Sequence, residues 1–410
     1  MTETHVSVVV VSHGRPAMLT RCVRGIAQLA YRPFELVVVA DPAGLTALRS
    51  AGLAGRAKCV SFPEANISAA RNAGIAQAAG EILAFIDDDA APEPGWLTEL
   101  IAPFSDKKVA AAGGYVLGRN GISLQWGARG IGRDARHEAL DLEDDAASVI
   151  PANRDLATRT EGTNMAFRRK VLTDLGGFDE AYRFYLEDAD LNMRLAAKGL
   201  ATAIVPTALV HHASAPSARR NAARCPRDLT EIGASLAVFL SRHGEAPSEP
   251  PEVETAEQYQ RLIRHLIAGN CEPRDPARIM ESFSMGYAGG LSREPALREF
   301  APAPPPFRHY RTAAPAEGTK ILAGRIWEAR KLRARAVDIV QNGGRASVFL
   351  FSPTAFYHRA RFTEAGYWEQ TGGIFGRSNR SEPIFRLMSF KARVEKEVKN
   401  IFLRRLGYTK

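Results

Sequence analysis

Three unbroken apolar runs constrain this chain most: VSVVVVS from Val6, FELVVVA from Phe34 and EILAFI from Glu81. A strand with one face in water alternates apolar and polar residues. A run without alternation is buried on both faces, as in a parallel sheet covered by helices. The intervening segments supply the helices. After the first run, Met18, Leu19, Cys22, Val23, Ile26 and Leu29 recur at helical spacing. The Ala-rich ISAARNAGIAQAAG stops at Gly80, a common helix terminator. KCVSFPE reads as a short third strand and LTELIAPFS as a further helix. This alternation predicts an α/β fold with a mostly parallel central sheet.

In open sheets of this kind, ligands bind outside the carboxyl ends of the strands. Acidic residues stand at two such ends: Asp41 after the second run, and Asp87, Asp88 and Asp89 after the third. Adjacent like charges repel, so the triplet calls for a cation or for a well-solvated turn. Its strand-end position favours the cation. No G-x-G-x-x-G follows the first strand, which argues against a dinucleotide-binding oxidoreductase.

Beyond this unit the chain is less regular. Gly118 to Thr160 mixes Gly, Arg and acidic residues and reads as loops over a site. Order returns with TNMAFRRKVLTDLGGFDE, the helix EDADLNMRLAAKG, and the strand material ATAIVPTALVHH, which ends in His211 and His212. A Pro/Glu-rich stretch then suggests three parts: a catalytic domain over 1–241, a linker over 242–258, and an accessory region over 259–410. The last part reads as mainly helical, with one apolar strand (ASVFLF). No stretch is long and apolar enough to predict a transmembrane helix, and the N-terminus has no signal-peptide pattern. The four cysteines lack metal or redox spacing. A cytoplasmic protein is expected. The net charge of +9 favours anionic partners without choosing among them. Net charge alone gives no ground for a nucleic-acid partner.

The motifs and their order resemble the family 2 glycosyltransferases, inverting enzymes of the GT-A fold, from Val6 to about Ser217. The resemblance rests on VVVVSHGRP, on FELVVVAD, and on NISAARNAGIAQAAGEILAFIDDDAAPEPGWL. GTNMAFRRKVLTDLGGFDE and EDADLNMRL complete it. It implies a Rossmann-like GT-A-type nucleotide-diphospho-sugar transferase unit followed by the C-terminal extension. Two departures stand out. Gly14 occupies a position where the family usually carries Asn, and the second strand ends in one acid rather than two.

The resemblance also implies roles. Asp89 would ligate Mn²⁺ or Mg²⁺, with His212 rather than His211 completing the metal site. Asp88 would contact the donor's ribose, or the metal through water, and Asp87 would shape the turn. Asp41 would meet the nucleotide base, and Arg71 the diphosphate. Asp188 would be the catalytic base, its pKa raised by the flanking acids Glu187 and Asp190. The implied activity is metal-dependent, inverting transfer of a sugar from a UDP-, GDP- or dTDP-linked donor to a hydroxyl acceptor. That acceptor would be a bacterial glycan, a lipid-linked saccharide or a protein. A non-catalytic nucleotide-sugar-binding scaffold and a nucleotidyltransferase are the alternatives. Finally, Ser381–Lys410 carries eight basic residues against three acidic ones. Val394, Val398, Ile401 and Phe402 share a helical face there, which suggests either peripheral contact with the anionic inner face of the plasma membrane or packing on the protein.

Overall fold

The computed structural model describes residues 4–143, 145–213, 219–310, 318–379 and 381–406. Ser217 and Lys410, the ends of two stretches singled out above, lie outside them. The chain opens with β1 (Val6–Ser12), α1 (Pro16–Ile26), β2 (Phe34–Ala40), α2 (Pro42–Ser50), β3 (Lys58–Ser61), α3 (Ile67–Gln77) and β4 (Ile82–Asp87). All residues of β1 and β2 are buried, as continuous apolar runs require. Strands β1, β2, β3 and β4 pair in parallel, in the order β3-β2-β1-β4. Helix α1 turns Leu19, Cys22, Val23 and Ile26 onto the core. Helix α3 starts where the Asn66 side chain accepts a hydrogen bond from the Ala69 N–H at 3.1 Å.

The chain continues through β5 (Ala90–Pro92), α4 (Trp96–Ile101), β6 (Val109–Leu117), β7 (Leu124–Trp126), β8 (Arg129–Gly132), β9 (His137–Ala139), β10 (Ser148–Ile150) and β11 (Leu156–Thr158). Then come β12 (Met165–Arg168), α5 (Arg169–Asp174), α6 (Glu187–Ala197) and β13 (Ala201–His212). The main sheet runs β10-β13-β6-β12-β4-β1-β2-β3, with β5 on β13 and β7 on β6. Strand β12 is antiparallel to both neighbours, and β13 and β6 are parallel. The stretch from Gly118 to Thr160, expected as loops, holds short strands instead, and β11-β8-β9 form a small sheet of their own. They were invisible in the sequence because three- or four-residue strands are too short to show a period.

Three helices follow: α7 (Thr230–His243), α8 (Glu252–Ile267) and α9 (Asp275–Leu291). The connection expected over 242–258 is therefore shorter. The prolines end at Pro251, and Glu252 and Glu254 then favour a helix N-terminus. Helices α7 and α9 pack closely. A Cβ at Gly233 would collide with the Phe283 carbonyl, and one at Gly286 with the Thr230 carbonyl. Gly286→Ala should lower stability by about 1–3 kcal/mol through overpacking, read as a lower urea midpoint. Leu236 and Phe239 of α7, Leu262 of α8 and Phe283 of α9 share one core with Tyr182, Leu186 and Met193 around α6. The helical layer thus supports the helix that carries Asp188.

An extended strap then crosses the catalytic unit. Ala296 N–H donates to Asp179 at 2.8 Å, and Tyr310 N–H donates to the Phe34 carbonyl at 2.8 Å. The remainder comprises β14 (Lys320–Arg325), α10 (Ala329–Gln341), β15 (Ala346–Ser352), β16 (Arg359–Phe362), β17 (Trp368–Gly373) and α11 (Phe390–Ile401). Besides its helices, the extension thus holds a four-stranded sheet in the order β14-β15-β17-β16. On α11, Val394, Val398 and Ile401 pack with Phe349, Phe351 and Ile374 of that unit. The apolar face suggested for a membrane is thereby covered within the chain, and of the four residues only Phe402 is largely exposed. Among the described residues no helix is long and apolar enough to cross a membrane.

Candidate active site

The triplet sits where β4 ends and β5 begins. Asp87 is the last residue of β4, and Asp88 and Asp89 make the turn into β5. Asp88 is fully buried. It accepts a hydrogen bond from Ser12 Oγ at 2.6 Å and pairs with Arg15 at 2.7 Å. Burial raises its pKa to about 7, with Arg15 opposing and Asp89 adding to the shift. Asp87 accepts from Thr163 Oγ1 at 2.6 Å and faces Arg71 at 3.3 Å. Asp89 lies 3.0 Å from His212 Nε2 and 3.1 Å from Arg15. One ligating atom each from Asp87, Asp89 and His212 can be chosen so that all three lie within 4.8 Å of one another. Asp87 thus belongs to the group that can hold a metal, while Asp88 is buried against Ser12 and Arg15.

Strand β13 brings the histidine in, through pairing of His212 with Ala90 of β5. Gln125 Oε1 on β7 lies 3.2 Å from His212 Nδ1, and the Trp126 ring is 5.6 Å from the imidazole. A ring nitrogen held this way orients the other toward a metal. His211 points to the opposite face, 2.7 Å from Glu93. Two carboxylates and one imidazole form a donor set that suits Mn²⁺, and the carboxylates also suit Mg²⁺.

Asp41 caps α2. One carboxylate oxygen accepts from Gly44 N–H and the other from Gly14 N–H, both at 2.8 Å. Gly14 has φ +68°, a conformation that Gly and Asn both tolerate.

Asp188 stands at the start of α6, after two left-handed non-glycine residues, Tyr185 (φ 77°) and Leu186 (φ 65°). Such pairs cost energy and persist where packing holds them. The Asp188 carboxylate accepts from Gly162 N–H at 2.8 Å and Ala189 N–H at 2.7 Å, and meets Arg159 at 3.3 Å. Burial pushes its pKa up, but Arg159, Arg71 and the two N–H donors outweigh this and hold it below the usual value. The expected elevation by flanking acids does not occur, because both acids are neutralised elsewhere. Glu187 pairs with Arg71 at 2.6 Å, and Asp190 pairs with Arg194 at 2.8 Å and His243 at 2.9 Å.

Arg71, expected at the diphosphate, is instead buried. It bridges Asp87 and Glu187 and lies over the Phe178 ring at 5.3 Å. Its guanidinium therefore ties the aspartate cluster to the helix that carries Asp188. A Cβ at Gly162 would sit 2.5 Å from Arg71 Nη2, so the close approach needs glycine. Gly162, Thr163, Arg15 and Arg159 were not singled out from sequence. Arg15 lies in the VVVVSHGRP motif and Gly162 and Thr163 open GTNMAFRRKVLTDLGGFDE, whereas Arg159 stands outside every motif that carried the resemblance.

A mostly parallel sheet with acids at its strand ends, facing a helix-borne carboxylate, is the GT-A architecture of nucleotide-sugar-dependent transferases. The chain belongs to the family described as glycosyltransferase like family 2, whose model matches residues 4–230. It is 34% identical over 146 residues to a pre-mycofactocin glycosyltransferase of Mycobacterium tuberculosis, covering 35% of this chain and 29% of that one. It is 30% identical over 221 residues to the O-antigen biosynthesis protein RfbC of Myxococcus xanthus, covering 51% of this chain and 17% of that one. The chain thus spans less than a third of these relatives' length. Among solved structures it is similar to the mannosyltransferase PcManGT of Pyrobaculum calidifontis in complex with GDP-Man and Mn²⁺. There the TM-score is 0.41 and the identity 16%, over 70% of each chain.

Proposed function

We propose that this chain transfers a sugar from a nucleotide-sugar donor to a hydroxyl acceptor, with inversion at the anomeric carbon. The carrying observation is the convergence of Asp87, Asp89 and His212, coupled through Arg71 to the helix of Asp188. A divalent cation, Mn²⁺ or Mg²⁺, held by Asp87, Asp89 and His212 would offset the charge that grows on the departing nucleoside diphosphate. Asp188 takes the acceptor hydroxyl's proton during attack from the face opposite the leaving group. Gly162 N–H and Arg159 hold its carboxylate in place for this. Arg71 positions Asp87 and Glu187 rather than touching substrate. Asp41, beside the Gly14 turn, is the contact for the nucleotide base. The resemblance to the O-antigen protein supports a role in bacterial polysaccharide or glycoconjugate synthesis, at the cytoplasmic side where nucleotide sugars are made. Residues 259–410 are the accessory part of this enzyme on this reading.

The test is calorimetry with UDP and GDP, with and without Mn²⁺. Mn²⁺ should tighten nucleotide binding to the unaltered protein. Asp89→Ala should abolish that tightening while leaving metal-free affinity near its starting value. An equal metal effect in both proteins would remove the aspartates from the donor site.

A further inference from the structure

The sheet of the C-terminal unit leaves one edge apolar and open to solvent. Strands β14, β15 and β17 are parallel. Arg325 stands beside Phe351, and Ser352 beside Gly373, so the carboxyl ends of the three strands lie along one edge. The chain leaving those ends carries large apolar side chains in water. Trp327 follows β14, Phe356 and Tyr357 follow β15, and Ile384, Phe385 and Leu387 lie between β17 and α11. Trp327 is 69% exposed, Phe356 72%, Ile384 67% and Leu387 80%.

Backbone bonds hold these loops side by side. Gly373 N–H donates to the Phe356 carbonyl at 2.9 Å, and His358 N–H donates to the Arg377 carbonyl at 3.1 Å. On the other flank, Arg386 N–H donates to the Phe375 carbonyl at 2.9 Å. Phe385 pairs with Gly376 in an antiparallel bridge, and its ring lies 5.5 Å from the Phe375 ring. Residues 373–377 therefore run between the two loops and join them. The Arg377 guanidinium lies 4.4 Å from the Tyr357 ring. The Arg325 guanidinium lies 5.9 Å from the Trp327 ring and 4.5 Å from the Phe390 ring, which ties the end of β14 to the start of α11.

The charges between these side chains share one sign. Residues 352–361 contain Arg359 and Arg361, residues 383–391 contain Arg386 and Lys391, and neither stretch contains an acid. Arg361 is engaged by Glu369 at 2.7 Å, whereas Arg359 and Arg386 are exposed. A surface that stays in water rarely gathers so many large apolar side chains. Two copies of the chain meeting here about a two-fold axis would press like charges together. An anionic bilayer would compensate them. Aromatic and aliphatic loop tips set among arginines also match the two zones of a membrane interface, acyl chains below and phosphates above.

We propose that this edge docks on an anionic lipid surface, with Trp327, Phe356, Ile384, Phe385 and Leu387 entering the headgroup zone and Arg359 and Arg386 meeting lipid phosphates. The surface is not the face of α11, which packs on Phe349, Phe351 and Ile374. Docking requires no donor, metal or acceptor, so it stands independently of the transferase reading. It also has a consequence for the catalytic unit. Ala360 N–H, on β16, donates to the Asn120 carbonyl at 2.8 Å. The turn at Asn120 leads into β7, whose Gln125 lies beside His212. The docking edge is thus bolted to the rim of the aspartate cluster and sets its orientation to the bilayer.

The experiment is cosedimentation of the full chain with vesicles of phosphatidylcholine and phosphatidylglycerol, roughly seven parts to three, at low salt. Vesicles of phosphatidylcholine alone are the comparison. The unaltered protein should bind the anionic vesicles, and added salt should weaken that binding. Phe356→Ser/Leu387→Ser should weaken it about tenfold or more through lost apolar burial. Arg359→Gln/Arg386→Gln should weaken it by a similar factor. Ile267→Ser, an exposed apolar site on α8 of the helical layer, should bind like the unaltered protein. Vesicles should also shift the tryptophan emission to the blue, and Trp327→Phe should remove most of that shift. No binding by the unaltered protein, equal binding to neutral vesicles, or an equal loss in Ile267→Ser overturns the proposal. So does a blue shift that survives Trp327→Phe undiminished. Light scattering tests the rival occupant: a dimer that Phe356→Ser/Leu387→Ser turns into a monomer would make the edge a contact between copies and defeat the membrane reading. Should the apolar double variant lose its native circular dichroism, Leu387→Ser, at the most exposed of these sites, carries the test with a smaller loss expected.

Discussion

Replacing Asp188 by Asn should lower sugar transfer by about two to four orders of magnitude, the usual weight of a positioned general base. The shape of the side chain is kept and its proton affinity is lost. Mn²⁺-dependent nucleotide binding should change little, because Asp188 belongs to α6 and not to the aspartate cluster. An amide at this site also places an N–H₂ group near Gly162 N–H or Arg159, so some stability is lost too. Single-turnover transfer, normalised to the folded fraction from urea melts, separates the two effects. The pH profile adds a second readout. Because Arg159, Arg71 and backbone donors hold the Asp188 pKa below the usual value, the base stays ionised through neutral and mildly acidic pH. Activity should therefore show no acid limb from this group between about pH 6 and 7, in contrast to a carboxylate near its ordinary value of about 4 that burial had raised. Near-normal turnover in the Asn variant would take Asp188 out of the mechanism.

Replacing Arg405 by Ala should cost about 3–5 kcal/mol, the penalty for leaving a buried charge without its partner. Arg405 lies 2.6 Å from Glu93 Oε2 and donates to Oε1 at 2.8 Å. His211 adjoins the same carboxylate, and the Trp368 ring lies 4.0 Å from the Arg405 guanidinium. All four side chains are buried. The pair joins the last described turn of the chain to Glu93, which follows β5, and so clamps the C-terminal unit behind the aspartate cluster. Burial alone would raise the Glu93 pKa, but Arg405 and His211 more than offset this and hold it well below the usual range. The resulting stability is present above the unfolded value of about 4.3 and is lost as pH falls through the depressed folded value. Without Arg405 the burial effect dominates and raises the Glu93 pKa. The variant is then penalised most at neutral pH, and its deficit should narrow between about pH 7 and pH 4.5. Urea melts at pH 7 and pH 5 measure this. A deficit below about 1 kcal/mol at pH 7 would show that the ion pair does not hold the two units together.

Two glycines matter for reasons local to the fold. Gly14 looked like a departure from the family, yet it serves the left-handed turn that offers its N–H to Asp41. Gly162 was only the first letter of a motif, yet its N–H reaches Asp188 and its missing side chain leaves room for the Arg71 guanidinium.

What the sequence by itself determined was the catalytic half: buried strands β1, β2 and β4, the helices between them, and acids at the strand ends. These follow from local periodicity, which survives wherever an element is long enough to repeat its pattern and one environment covers it. The tertiary structure alone decided which charges meet. Only the fold buries Asp88 against Ser12 and Arg15, and only β13 and the Thr163 loop bring Asp87, Asp89 and His212 together. Arg71 looks like any surface cation until Asp87 and Glu187, sixteen residues downstream and 116 residues downstream, close on it from two sides. Arg405 reaches Glu93 across 312 residues. The short strands β7 to β11 were missed because three or four residues show no period, and in the extension only β15 was read, because the partners of a strand are chosen by contact. Ion pairs between distant segments leave no local trace, because their free energy depends on burial and geometry that exist only once the chain has folded.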